Sequence, residues 1–206
     1  MSACGADIFA AVETHLSNEK VGAAAAKIHE AGWRPHFAPA CTAISETSAG
    51  ATGTQGGVMF ANRLPLMYNQ LEEASAEGCA WRSPLHHCAG AHIQLKGLSI
   101  LLFAAYHRDQ VQQHMLTELS QATSQGDVPF VCIADWNTPP DEWNIKGRSQ
   151  WLHSNKATLV IPSQGDRTCK DRLIDYIVCS RALAPPSLQH ATSHGQSPGH
   201  LTAPFA

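Results

Sequence analysis

Apolar residues along this chain fall mainly into short runs that end in polar side chains. The clearest run, Phe130 to Ala134, is too short for a helix and rich in β-forming residues, so it predicts a buried strand. Asp135, Trp136 and Asn137 follow it, before two prolines. A strand that carries a carboxylate and an amide to its end can build a functional site, but most strand-end aspartates cap a turn. The pattern alone leaves both interpretations open.

Other runs share this organisation. Four further stretches place polar residues at or near the end of a strand-like run: 8–13, 98–107, 173–178 and 197–200. Another strand is predicted at 55–63, where Gly56 and Gly57 let the backbone turn and pack closely. The chain is therefore rich in predicted strands whose ends carry chemically useful groups.

Turn signals divide the remaining strands and loops. Lys96-Gly97 is a two-residue turn, which predicts a hairpin between 91–95 and 98–105. Short strands are predicted at 33–37 and 157–161, and loops at 42–53, 72–90 and 138–156.

Two helices are predicted between the strands. Ser17 is a plausible N-cap for a helix that has Glu19 in its first turn and ends at Gly32. A single apolar stripe predicts the second helix, which ends near Gly126, and its members are Val111, Met115, Leu119 and Ala122. Strands alternating with helices and a hairpin are typical of a two-sheet sandwich with outer helices.

Composition and charge narrow the class of protein. A length of 206 residues with 44% hydrophobic and 15% charged residues predicts a single domain over 1–206. The net charge of −3 gives no general polyanion-binding surface, so nucleic acid would be bound by a local patch or through a metal. Candidate phosphate contacts are Arg63, Arg82, Arg108, Lys146, Arg148 and Lys156, and Trp143 or Trp151 could stack on a base. A solvated surface explains these residues equally well.

Cysteine usage and hydropathy predict an intracellular protein. The seven cysteines lack paired CxxC spacing, and Cys132 and Cys179 lie inside apolar runs where buried thiols are expected. No signal peptide or membrane-spanning run is apparent. His86, His87, Cys88 and His92 invite a zinc interpretation, but adjacent ligands do not readily face one ion, so a loop is preferred.

Taken together and in order, these stretches resemble the endonuclease/exonuclease/phosphatase superfamily, which includes abasic-site endonucleases, pancreatic deoxyribonuclease and retroelement endonucleases. The resemblance extends from Asp7 to Phe205. It implies an α/β fold, a four-layer sandwich of two mixed β-sheets flanked by helices. It also implies a metal-dependent phosphoester hydrolase, most simply a nuclease-type phosphodiesterase.

The resemblance assigns a role to each polar strand end. Glu13 would bind Mg²⁺, with Mn²⁺ as a possible substitute, because hard cations take oxygen ligands. Asp135 would activate or position the attacking water, and Asn137 would donate a hydrogen bond to the phosphate. Asp175 would orient His200, which would stabilise charge in the transition state. Tyr106 would lie beside the scissile phosphate, with His107 and Arg108 as further contacts, although Tyr106 as a wall residue is an equal alternative.

Two departures from the family pattern keep other functions open. Gly199 stands where the family has an aspartate before its histidine, and the chain lacks the family's first strand, as an N-terminally truncated or shortened domain would. The alternatives are a catalytically impaired domain that binds phosphate or a protein, and a phosphomonoesterase. Expected partners are nucleic acid without strong sequence specificity, or a phosphorylated small molecule or lipid headgroup.

Overall fold

The structure is a computed structural model that describes twelve segments of the chain. They are residues 7–44, 52–63, 67–69, 88–95, 97–107, 116–117, 119–121, 123, 128–143, 148–162, 172–184 and 202–203. The chain divides into two compact units, residues 1–106 and 107–206. The prediction of one domain over the whole chain stays a prediction.

A three-stranded antiparallel sheet opens the first unit. Its strands are β1 (Ile8–Val12), β2 (Arg34–Ala38) and β5 (Val58–Asn62), in the order β1-β5-β2. Every residue of the central strand is buried, whereas those of β1 are half-buried. The strand-like run predicted at 8–13 is therefore confirmed as β1, which takes an edge position in this sheet.

Helix α1 (Asn18–Glu30) connects β1 to β2 and packs against β2. It begins after Ser17 and has Glu19 in its first turn, as predicted. The Ser17 side chain makes no capping hydrogen bond, and its backbone carbonyl accepts from Lys20 N and Val21 N instead. Gly32, with φ +82°, lies just beyond the helix end.

The predicted loop at 42–53 is wrong at both of its ends. Strands β3 (Cys41–Ile44) and β4 (Thr52–Gln55) pair as an antiparallel hairpin. The local sequence, rich in small and polar residues, favours a loop, but cross-strand pairing overrides that weak preference.

A second group of strands in this unit is β6 (Met67–Asn69), β7 (Cys88–Leu95) and β8 (Leu98–Tyr106), paired antiparallel. The predicted hairpin is confirmed, since Leu95 pairs with Leu98 across Gly97, although β7 begins three residues before the predicted strand at 91–95. β7 and β8 pack against β1, β2 and β5, so two sheets face each other within the unit. Gly90 lets Phe103 lie against β7, because a Cβ there would be 2.6 Å from Phe103 Cδ1.

The second unit contains β9 (Phe130–Asp135), β10 (Ala157–Pro162), β11 (Asp175–Ser180) and β12 (Thr202–Ala203), in the order β12-β10-β11-β9. β11 pairs antiparallel with both β9 and β10, and β12 runs parallel to β10. The strands predicted at 130–134 and 157–161 are confirmed. The strand predicted at 173–178 begins two residues later, at Asp175, and extends to Ser180.

The stretch 138–156, predicted as a loop, contains regular structure. Pro140–Trp143 forms a 3-10 turn, and α2 (Arg148–Ser154) is a helix. Trp151 anchors α2, because its Nε1 donates to Leu116 O at 2.9 Å and to Ser120 Oγ at 2.7 Å. Tertiary packing of one aromatic residue thus stabilises a helix that the polar sequence does not signal.

The other helix prediction is confirmed at the residues that the structure describes. Residues 116–117, 119–121 and 123 are helical, and Leu116 and Leu119 are buried. Val111, Met115 and Ala122 of the predicted stripe lie outside the described residues. Cys132 and Cys179 are buried thiols, as predicted. Within the described segments, no helix has both the length and the apolar character needed to cross a membrane.

Candidate active site

The end of β9 forms a tight turn that we call the Asp135 turn (residues 135–138). Asp135 is the last residue of the strand and is 5% exposed. Its Oδ1 accepts a hydrogen bond of 2.8 Å from Asn137 N, so the carboxylate orders its own turn. Asn137 has φ +47°, in the left-handed region that asparagine tolerates better than most residues. Asp135 and Asn137, predicted as site residues, are thus held together.

His107 makes hydrogen bonds to three residues of the Asp135 turn. Its backbone N–H donates to Asp135 O at 2.7 Å, and its carbonyl accepts from Asn137 Nδ2 at 2.9 Å. Its Nδ1 lies 2.8 Å from Trp136 O, and because a carbonyl only accepts, Nδ1 carries the hydrogen. His107 is 1% exposed. The sequence suggested His107 as a phosphate contact, whereas the structure shows it bonded to three successive residues of the turn.

Three aromatic residues, Trp136, Trp143 and Tyr176, pack together beside the turn, and we call them the aromatic cluster. Trp136 stacks on Tyr176 with centroids 5.8 Å apart, and Trp143 meets Trp136 edge-on at 5.1 Å. Trp143 is only 1% exposed, so the prediction that it could stack on a nucleic-acid base is wrong. Trp151, the other candidate, is half-buried against Phe130.

Hydrogen bonds tie the aromatic cluster to the turn. Trp136 Nε1 donates to Tyr176 O at 3.1 Å, and the Tyr176 hydroxyl donates to Thr138 O at 2.9 Å. The same hydroxyl accepts a hydrogen bond from Trp143 Nε1. Burial raises the pKa of the Tyr176 hydroxyl, while the Trp143 hydrogen bond and the Arg148 charge lower it by less. The hydroxyl therefore remains a donor over the ordinary pH range.

Arg148 brings a buried positive charge to the aromatic cluster. Its side chain is 3% exposed, and Cζ lies 5.5 Å from the centre of the Trp143 ring. A guanidinium over an aromatic face is attracted by the ring quadrupole, most strongly where water is excluded. The prediction of Arg148 as a surface phosphate contact is wrong, because this side chain is part of the interior.

Asp175 lies directly opposite Asp135 in the β9–β11 ladder. Opposed residues of antiparallel strands point to the same face, with Cβ atoms about 4.5–5.5 Å apart. Two carboxylates in this relation repel each other unless a cation or a proton intervenes. Asp175 is the less buried of the two. Its predicted partner His200, and Gly199 beside it, lie outside the described residues, so that pairing stays a prediction.

In the first unit, Glu13 belongs to a different kind of turn, the Glu13 turn (residues 13–15). Glu13 is exposed, and both Glu13 and His15 have φ +53°. Thr14 N and His15 N donate to the carbonyls of Gly57 and Gly56, both at 3.0 Å. A Cβ on Gly57 would lie 2.7 Å from Thr14 Oγ1, so only glycine fits there. The predicted close packing of the backbone is confirmed at Gly57, and the predicted backbone turn is confirmed at Gly56, which has φ +69°.

His15 adds a second set of contacts to the Glu13 turn. Its Nδ1 donates to Thr54 O at 2.8 Å, and its own carbonyl accepts from Thr54 Oγ1 at 3.1 Å. A glutamate at positive φ is held in a sparsely populated conformation, and such strain persists only where surrounding contacts impose it. The backbone of Glu13 is thereby held in this conformation, and its side chain is exposed.

Tyr106 and Arg63 complete the predicted residues in this unit. Tyr106 is the last residue of β8 and is 6% exposed, and its predicted role beside a phosphate stays a prediction. Arg63 Nε lies 3.3 Å from Asp7 Oδ1, and its guanidinium lies over the Trp33 ring at 5.4 Å. Arg63, a predicted phosphate contact, thus already contacts Asp7 and Trp33. Lys156, another predicted phosphate contact, is exposed.

The chemistry of these side chains fits a hard cation. Among the described residues, no group of three or more His, Cys, Asp or Glu is arranged to hold a metal ion. Mg²⁺ does not require such a cage, because it keeps several waters and binds through one or two carboxylates together with substrate phosphate. The exposed carboxylate of Glu13 and the opposed pair Asp135 and Asp175 each supply oxygen donors of this kind.

Comparisons with known proteins identify a family and a similar fold. A model described as the Endonuclease/Exonuclease/phosphatase family matches residues 1–197 of the chain. A beta toxin structure from Staphylococcus aureus is 12% identical, covers 87% of this chain and 74% of that chain, and has a TM-score of 0.54. An endonuclease/exonuclease/phosphatase family protein from Leptotrichia buccalis is 11% identical, covers 84% and 74%, and has a TM-score of 0.51. The human Nocturnin catalytic domain is 13% identical, covers 84% and 69%, and has a TM-score of 0.49.

The search of curated proteins found no match. At these low identities, structural similarity speaks for the fold alone. The predicted fold class, an α/β sandwich of two sheets with helices, is confirmed, although the sheet of β1, β2 and β5 is antiparallel rather than mixed.

Proposed function

Because the chain belongs to the Endonuclease/Exonuclease/phosphatase family, we propose that it is a metal-dependent phosphoester hydrolase of the nuclease-type phosphodiesterase class. The observation that carries the proposal is the Asp135 turn, in which a buried carboxylate and an amide are held at the end of β9. Preorganised groups of this kind stabilise a transition state without having to reorganise during the reaction.

In the proposed reaction, Asp135 accepts a proton from the attacking water or orients it. Its Oδ1 is already bonded to Asn137 N, which fixes the plane of the carboxylate. Asn137 Nδ2 carries two hydrogens, and His107 O accepts one of them. The other is the proposed donor to a phosphoryl oxygen, whose negative charge grows in the transition state.

Glu13 is the proposed Mg²⁺ ligand, with Mn²⁺ as an alternative ion. When bound, such a cation polarises a phosphoryl oxygen and stabilises the leaving group. The support in this chain is the enforced backbone conformation of Glu13, which fixes the point from which an exposed carboxylate extends. Asp175 is the proposed support for His200, and Tyr106 is a proposed neighbour of the phosphate, both by family resemblance.

The proposed substrate is nucleic acid bound without strong sequence specificity. The net charge of −3 argues against avid polyanion binding, and Lys156 is an exposed cation that could contact phosphate. Phosphomonoesters and lipid headgroups are the competing substrates. Gly199, which replaces an aspartate of the family pattern, motivates the alternative of a catalytically impaired domain that binds phosphate or protein.

Cleavage assays test the proposal directly. The purified chain is incubated with a supercoiled plasmid, an abasic-site duplex or a chromogenic phosphomonoester, in Mg²⁺ and in chelator. Asp135→Asn should lower the rate by about 100- to 1,000-fold or more, because a group that acts on the attacking water is lost.

Asp141→Asn is the matched control, since Asp141 is an exposed carboxylate of the adjoining 3-10 turn. Chelator-sensitive cleavage that survives in Asp141→Asn and disappears in Asp135→Asn would support the proposal and exclude a contaminating nuclease. Hydrolysis of the monoester alone would make the protein a phosphomonoesterase. No hydrolysis of any substrate by the folded protein would contradict the proposal and favour the impaired domain.

A further inference from the structure

Tyr176 makes more contacts with the Asp135 turn than a residue that only fills the core would need. Its ring stacks on Trp136, its carbonyl accepts from Trp136 Nε1, and its hydroxyl donates to Thr138 O. Trp136 and Thr138 are the two neighbours of Asn137 in the chain. One residue of β11 therefore holds the turn on both sides of the amide to which the proposed function gives a role.

We propose that Tyr176 is a positioning residue for the proposed hydrolysis, and that its hydroxyl sets the geometry of Asn137 and Asp135 through Thr138. The inference rests on the proposed function for its kinetic consequence. The claim that the Tyr176 hydroxyl controls the conformation of the turn does not depend on the proposed function.

The direction of the hydrogen bonds makes this hydroxyl specific. Trp143 Nε1 can only donate, so the oxygen accepts there, and the hydroxyl hydrogen is directed to Thr138 O. Burial raises the pKa of Tyr176, which keeps that hydrogen in place. Trp143 is itself fixed between Trp136 and the Arg148 guanidinium. The rotation of the hydroxyl is therefore determined by a buried chain of contacts.

The conformation of Asn137 explains why the turn needs this support. At φ +47° the residue lies in a region that persists only when its neighbours impose it. His107 bonds to the turn through residues 135, 136 and 137, and Tyr176 is the contact at residue 138. Without the hydroxyl, Thr138 O is released and Asn137 is free to relax towards negative φ.

The test compares kcat and KM for Tyr176→Phe, Trp143→Phe and Trp151→Phe in the full chain with Mg²⁺ and the abasic-site duplex. Tyr176→Phe keeps the ring and removes the bond to Thr138 O, so we expect kcat to fall about 10- to 100-fold with KM within about twofold. Trp143→Phe removes the bond that orients the hydroxyl and part of the buried indole, but it leaves the bond to Thr138 O in place. We therefore expect a smaller fall, about 3- to 10-fold.

Trp151→Phe is the matched control, because it removes part-buried indole hydrogen bonds to Leu116 and Ser120 rather than to the turn. We expect a lower melting temperature for it and an unchanged kcat, and any loss of base stacking by Trp151 would change KM instead. If Tyr176→Phe likewise lowers only the melting temperature, Tyr176 is merely structural and the proposal fails.

A readout without turnover separates this inference from the proposed function. In a ¹⁵N-labelled sample, the backbone and side-chain amide signals of Asn137 should shift or broaden in Tyr176→Phe and stay in place in Trp151→Phe. If the wild-type chain hydrolyses nothing while these signals respond as expected, the proposed function fails and Tyr176 still controls the turn. If the signals do not move in Tyr176→Phe, the proposal is overturned whatever the activity.

Discussion

The Glu13 turn and the Asp135 turn present a similar local conformation that is held in two different ways. Each places a non-glycine residue at positive φ immediately before a threonine, at φ +53° for Glu13 and φ +47° for Asn137. Backbone bonds to Gly56 and Gly57 hold the Glu13 turn, whose carboxylate is exposed. Side chains and the buried aromatic cluster hold the Asp135 turn.

The difference indicates which substitutions each turn should tolerate. The Glu13 turn is held by backbone hydrogen bonds to two glycines, so it depends on the absence of side chains at those two positions. A turn held by an aromatic hydrogen-bond network depends on the polar atoms of that network, since a buried donor or acceptor that loses its partner is costly. Different substitutions should therefore destabilise the two turns, and pairs of variants test this difference.

The largest effect is expected for Gly57→Ala, with Gly97→Ala as its partner. Both glycines have positive φ, +83° and +78°, but a Cβ on Gly57 would meet Thr14 and Ala40, whereas Gly97 has open space. Gly97→Ala should cost only the backbone strain, about 1–2 kcal/mol of unfolding free energy. Gly57→Ala should cost about 1–3 kcal/mol more from the overlap. Urea unfolding measures both.

The same pair carries an activity test for Glu13. Gly57→Ala should raise the Mg²⁺ concentration that gives half-maximal activity, because the overlap displaces Thr14 beside Glu13, whereas Gly97→Ala should leave it unchanged. Equal unfolding free energies for Gly57→Ala and Gly97→Ala would show that the Glu13 turn adapts to an added Cβ and does not require glycine at position 57.

A smaller effect is expected for Trp136→Phe in the Asp135 turn. Trp136 is fully buried, and its Nε1 donates to Tyr176 O. Phenylalanine leaves part of the volume empty and that carbonyl without its donor, so we expect a loss of about 1–3 kcal/mol in unfolding free energy. Trp151→Phe, at a half-buried indole, is the comparison, and a larger loss there would contradict the central place of the aromatic cluster.

The two turns also show what the sequence could predict. Asp135, Asn137 and Glu13 follow apolar runs, and Gly56 and Gly57 precede one, so local pattern located them. Tyr176 and His107 act through partners about thirty to forty residues away, at 138 and 135–137. Pairing between distant strands decides those contacts. Hydrophobic alternation predicts which face of a strand is buried, but not which residue of a distant strand lies opposite.

A still smaller effect is expected for substitutions of His15. Its side-chain hydrogen bond stabilises the folded chain, whereas its positive φ destabilises it. The imidazole donates to Thr54 O, but the residue has φ +53°. His15→Ala loses the bond and keeps the strain, so we expect about 1–2 kcal/mol of destabilisation. His15→Gly loses the bond and relieves the strain, so its unfolding free energy should stay close to that of wild type. If His15→Gly were less stable than His15→Ala, the positive φ of residue 15 would not be a source of strain in this turn.

The smallest effects are expected where the two turns look most alike, at Thr14 and Thr138. The hydroxyl oxygen of each threonine is buried and has no hydrogen-bond partner among the described residues. As a whole residue, Thr138 is fully buried, whereas Thr14 is half-buried. Removing a buried hydroxyl that bonds to nothing is neutral or stabilising, since only its desolvation cost is lost. Thr138→Val should therefore change the unfolding free energy by no more than about 1 kcal/mol, towards greater stability, and Thr14→Val should change it less. A marked loss of stability in Thr138→Val would mean that an ordered water bonds to this hydroxyl, and the Asp135 turn would then be held by solvent as well as by Tyr176 and His107.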